Sequence, residues 1–106
     1  MTDTETTIVI FRKWRNGDVI ALFPCVAASV DNPALCNSYE HVGQHGAADC
    51  NGVIRRTASA EPSEYVDLFL ELTSIGYNLK VYKREQYFML QQREAMMKAP
   101  VLENSL

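Results

Sequence analysis

The sequence predicts a small α+β domain: an antiparallel or mixed sheet opened by an N-terminal β-hairpin, one helix packed on it, and a C-terminal helix. Three observations carry this expectation. Thr7–Trp14 and Val19–Phe23 are rich in β-branched and aromatic residues and flank Arg15-Asn16-Gly17-Asp18. Asn-Gly between two such runs is a strong short-range hairpin signal. Tyr65, Leu68, Phe69, Leu72 and Ile75 recur at helical spacing between Pro62 and Gly76, a proline start and a glycine stop. Leu79–Lys83 then reads as a strand, with Leu79 and Val81 on one face. With Ser38–Val42 as a third strand, the expected order is β-β-β-α-β.

The elements follow in chain order. A two-residue type I′ turn at Asn16-Gly17 pairs Trp14 with Val19, Lys13 with Ile20 and Phe11 with Leu22. That register puts Val9, Phe11, Ile20 and Leu22 on one core-like face. Pro24 has no N–H to give a ladder and is expected to end the second strand. Residues 25–37 read as a loop punctuated by Asp31-Asn32-Pro33. Residues 43–52 are small, lack a sustained period, and read as a second loop, while Val53–Arg56 is too short to assign. Glu61, Glu64 and Asp67 suit the N-terminal end of the helix dipole. Residues 85–99 read as a second helix stopped before Pro100. Its Met89, Leu90, Met96 and Met97 fall on one side with the stem of Arg93 among them. The organisation is therefore an unstructured 1–6, an α+β domain over 7–84, and a C-terminal helix and frayed tail over 85–106.

Composition bounds the function. A chain of 106 residues fits one domain. Its 47% apolar and 22% charged content sets whole-chain disorder aside. A net charge of −3 lacks the positive field that non-specific nucleic-acid binding needs. No apolar run approaches the ~20 residues that cross a bilayer, and the polar, acidic start is unlike a signal peptide. Three cysteines, an odd count, argue for reduced thiols and a cytoplasmic setting.

Three constellations compete as sites. Cys36-x4-His41-x3-His45-x4-Cys50, with Asp49 beside the last cysteine, gathers both histidines of the chain. Two thiolates and two imidazoles are a tetrahedral zinc set, although the cysteines flank the histidines where finger motifs pair them. The same residues could supply a thiol nucleophile with a histidine base, but no nucleophile elbow or cysteine-protease signature surrounds them. Arg12, Trp14 and Arg15 interleave basic and aromatic side chains as a single-strand nucleic-acid contact would, against an unfavourable overall charge. Met89, Leu90, Met96 and Met97 form the adaptable kind of surface that methionine gives to protein partners. Phosphate loops, dinucleotide fingerprints and carboxylate metal clusters are absent, which weighs against an enzyme. The reading the residues favour is a non-catalytic accessory or interaction protein, self-associating or bound to a protein partner. It needs no cofactor beyond the zinc alternative.

Val9–Pro24, Ser38–Asp49 and Gly76–Lys83 resemble stretches of a group of small uncharacterised proteins found in bacterial, plasmid and phage genomes. The resemblance covers most of 8–84 and leaves the methionine-rich tail outside. It implies a bacterial or mobile-element setting and carries over no catalytic or binding residue.

Overall fold

The computed structural model describes residues 6–40 and 44–104, with backbone alone at 44 and 99–104. The expected unstructured N-terminus therefore lies, except for Thr6, outside the described residues, as do His41 and the last two positions of the tail. The chain runs β1 (Thr7–Lys13), β2 (Val19–Ala27), β3 (Leu35–Glu40), β4 (Gln44–Asp49), α1 (Cys50–Arg56), β5 (Ala58–Ser59), α2 (Pro62–Ser74), β6 (Leu79–Val81) and α3 (Tyr87–Asn104). The six strands form one mixed sheet ordered β4-β3-β2-β1-β5, with β6 parallel to β1 at its other end. The α+β class stands. The expected β-β-β-α-β order is corrected by β4 and the start of α1, which occupy the stretch 43–52 read as loop, and by the rest of α1 and β5, which fall where no element was assigned.

The hairpin exists, but its register differs by one residue. Lys13 pairs with Val19, Arg12 with Ile20, Phe11 with Ala21 and Ile10 with Leu22. Trp14 N donates to Asp18 O at 2.8 Å and Gly17 N to Trp14 O at 2.9 Å. The loop thus holds three residues and ends on Gly17 at φ +98°, the left-handed position that follows a type I turn in such hairpins. Because side chains alternate, one step sends a strand's residues to the opposite face. Val9, Phe11, Ala21, Phe23 and Tyr39 pack under α2 through Leu68 and Leu72. Ile10, Ile20, Leu22, Cys36 and Ala48 pack with Cys50 and Val53 of α1 and Met89 of α3. The sheet is covered on both faces.

Pro24 does not end β2. It lies within the strand at a register shift between Phe23 and Ala27, a bulge, where a missing N–H costs no ladder bond. The third strand starts earlier than expected, at Leu35, and its expected end at Val42 lies outside the described residues. Gln44–Asp49 forms a strand despite low β-propensity because it pairs residue for residue with β3, from Glu40↔Gln44 to Leu35↔Asp49.

The helix expected from Pro62 is α2. Glu64 reaches back to the Glu61 N–H at 2.8 Å. At the other end Gly76 N donates to Thr73 O and Tyr77 N to Leu72 O, both 3.1 Å. Gly76 takes φ +115° there, which makes a Schellman stop. The final strand is shorter than expected, ending at Val81. The C-terminal helix carries past Pro100, forfeiting one intrahelical bond where a stop was expected.

Candidate functional site

The bulge and the 28–34 loop leave backbone carbonyls that no strand neighbour can satisfy. Arg93 of α3 supplies the donors: Nη1 to Pro24 O at 2.7 Å and Nε to Pro33 O at 2.8 Å. Its side chain is almost fully buried, and Glu85 Oε2 lies 3.7 Å from Nη1. Buried charges persist when paired and hydrogen-bonded in this way. Met89, one turn before Arg93, is fully buried and accepts from Gln86 N through its sulfur at 3.3 Å.

Glu85 also receives the thiol of Cys50, Sγ to Oε2 at 3.4 Å. Cys50 packs with Cys36 in one core cluster, and both are fully buried. The neighbouring Cys36 thiol, then burial, push the Cys50 thiol well above its usual range. Burial likewise pushes Cys25 up. All three cysteines are free. The result is a polar chain, Cys50–Glu85–Arg93, buried at both ends and partly exposed at Glu85, with Cys36 packed beside Cys50. Beside it lies a cavity of about 400 Å³, lined in part by Glu85, Leu90, Arg93 and Glu94.

Among the described residues the metal constellation is divided. Cys36 and Cys50 meet on the α1–α3 face of the sheet. His45 contacts Tyr39 and Phe23 on the α2 face and bonds Tyr77 Oη through Nε2 at 2.9 Å. Asp49 caps α1, accepting from Gly52 N at 3.2 Å, and His41 lies outside the described residues. Among the described residues no three His, Cys, Asp or Glu side chains are grouped to hold a metal ion.

The nucleic-acid trio is also divided. Arg12 donates to Thr57 Oγ1 and Ser59 Oγ and, through Nη2, to Ile54 O and Thr57 O at 2.7–2.9 Å. These are the free carbonyls at the C-terminal end of α1, where a guanidinium is favourable. Trp14 is half-buried against the α1–α3 core, and Arg15 is exposed in the hairpin loop.

The methionine face splits along its length. Met89 is core and Leu90 half-buried, whereas Met96 is 43% exposed, its sulfur accepting from Ala27 N at 3.3 Å. Met96 and Met97 line an open groove with Val30, which is 88% exposed. Val30 is held out by a bonded loop: Asp31 N and Asn32 N donate to Ser29 Oγ, and Ala34 N donates to Asn32 Oδ1. Sequence reasoning missed Glu85 and Val30 and treated Arg93 as a stem. The available signal was a charged residue inside an apolar helical stripe, which calls for a buried partner.

No family model matches this chain, and no curated protein and no solved structure is significantly similar to it.

Proposed function

We propose that this chain is a small non-catalytic interaction protein whose partner-facing surface is the distal half of α3 with the 28–34 loop. The observation that carries the reading is Val30. An aliphatic side chain held 88% exposed by an internally bonded loop spends conformational entropy without burying surface, which is the arrangement of a preformed contact. Met96 and Met97 beside it supply the adaptable apolar area. No helix of the described residues is long and apolar enough to cross a membrane, and three free thiols support a reducing, cytoplasmic setting.

Removing α3 would not test this, because Met89 and Arg93 hold the core. A Val30→Asp, Met96→Glu variant charges the groove and leaves those residues alone. It is expected to keep the wild-type melting temperature and to lose the proteins that crosslink to the wild-type chain in its host cells. An unchanged crosslinking profile would overturn the reading.

A second reading is favoured by the Cys36–Cys50 contact: a thiol site in which the pair closes to a disulfide. Two thiols would give two protons and two electrons to an external disulfide, which leaves as two thiols. Mass spectrometry after treatment with oxidised glutathione separates a loss of two hydrogens from a mixed adduct or no reaction. The nucleic-acid reading ranks third, since Arg12 is committed to the end of α1.

A further inference from the structure

The sheet has two unlike edges. One side of β1 is covered at both ends, by β5 along Arg12–Lys13 and by β6 along Thr7–Val9. The opposite edge is β4, which among the described residues has a neighbour on one side only. Exposed edges in monomers are blunted by lysine, proline, bulges or shortness. Gln44–Asp49 contains neither Lys nor Pro and pairs with β3 in unbroken register over all six of its residues. Its Gly46, Ala47 and Ala48 present no bulk to an approaching strand, and His45, Gly46, Ala47 and Asp49 are exposed.

The phase of the ladder shows which groups point outward. Cys50 N donates to Ala34 O at 3.1 Å, so even-numbered positions of this stretch bond to β3. Antiparallel alternation then turns the backbone groups of His45, Ala47 and Asp49 to the open side.

We infer that β4 pairs antiparallel with β4 of a second copy about a two-fold axis at Ala47, joining two sheets into one. Ala47 exchanges its N–H and C=O with the partner's Ala47, and Asp49 N–H donates to the carbonyl of the partner's His45. The C=O of Asp49 is already committed to α1 as its cap position. The same register sets His45 across from the partner's Asp49. His45 uses Nε2 on Tyr77 and keeps Nδ1; Asp49 uses Oδ1 on Gly52 and keeps Oδ2. A strand that is self-complementary in shape, backbone phase and side-chain hydrogen-bonding groups meets the requirement of an isologous contact. Other registers leave the histidine and the aspartate unmatched. A contact of one short strand is smaller than the ~1,200 Å² of a standard interface, so the dimer is concentration-dependent.

This inference is independent of the α3 surface, and its test keeps the two apart. Sedimentation equilibrium of the full chain is expected to show a monomer–dimer equilibrium, with amide exchange at Ala47 and Asp49 slowing as concentration rises. Ala47→Lys and Ala47→Glu, both at an exposed side chain, are each expected to be monomeric, since like charges meet at the axis. Mixed in equal amounts they are expected to form a heterodimer. A wild-type monomer at every concentration, a dimer that survives Ala47→Lys, or a mixture that stays monomeric would overturn the inference. So would a dimer lost in Met96→Glu and kept in Ala47→Lys, which would move self-association to α3.

Discussion

The two faces of the sheet are closed by different balances of the same forces. Under α2 the contact is chiefly aromatic and apolar: Phe11 stacks on Tyr65 at 4.2 Å and Phe23 on Tyr77 at 5.0 Å, with Leu68 and Leu72 between the strands and the helix, and its polar ties run between side chains, as where Tyr39 Oη donates to Glu71. Under α1 and α3 the strands are aliphatic, and both buried polar residues, Ser38 and Arg93, lie on this side. Regular elements present only side chains to their neighbours, so packing and side-chain hydrogen bonds join them. A bulge, a loop and a short helix present carbonyls, and a side chain must answer those. Arg93 answers the bulge and the loop; Arg12 answers the end of α1.

The largest effect that could break this contrast is at Arg93. Arg93→Met is expected to cost about 3–5 kcal/mol, since it strands the Pro24 and Pro33 carbonyls and unpairs Glu85. Arg93→Lys should recover only part, because an ammonium cannot span the two carbonyls as a fork does. Urea denaturation measures both, and an Arg93→Met chain as stable as wild type would remove the distinction between the faces. Leu72→Ala on the other face is expected to cost about 3 kcal/mol, a cavity cost alone. Gly76→Ala tests the stop of α2 and should cost about 1 kcal/mol, the strain of a left-handed alanine.

The smallest effect separates the faces by pH. Burial makes the thiol of Cys25 ionise less readily folded than unfolded, so unfolding releases its proton. Its contribution is present below the ordinary thiol range and is lost as pH rises through and beyond it. Melting curves at increasing alkaline pH should show the decline, flatter in Cys25→Ala and unaltered in slope in Leu72→Ala.

The same contrast governs what was legible in the sequence. The helix under one face announces itself locally, through Pro62, a periodic stripe and Gly76, and it stands as expected. The hairpin was legible in its existence and not in its register. Asn16-Gly17 suits a two-residue turn and equally a three-residue one ending on Gly17, and that single step moved Ile20 and Leu22 across the sheet. β4 was hidden because Gly46, Ala47 and Ala48 are strand only through β3, a tertiary effect that overrides weak propensity. Among site residues, Cys36 and Cys50 were named and do meet. His45 and Asp49 were grouped with them by proximity in sequence, and strand alternation and the capping role take them elsewhere. Glu85 and Arg93 lie far along the chain from their partners, where spacing carries no information.

The position of β1 has a consequence for how the protein is made. Of the described strands β1 leaves the ribosome first, and β2 can pair with it at once through a tight turn. Its other side waits for Ala58–Ser59 and Leu79–Val81, and the closing bonds are Ala60 N to Phe11 O, Tyr82 N to Val9 O and Thr7 N to Asn78 O. Until most of the chain has been synthesised, a nascent hairpin carries Val9, Ile10 and Phe11 on a bare edge. Closure between segments so far apart is slow, and an uncovered apolar strand is the form in which a growing chain sticks to its neighbours. The strand with the most partners in the sheet is therefore also its most vulnerable one during birth, and β6 is the piece whose arrival ends the exposure.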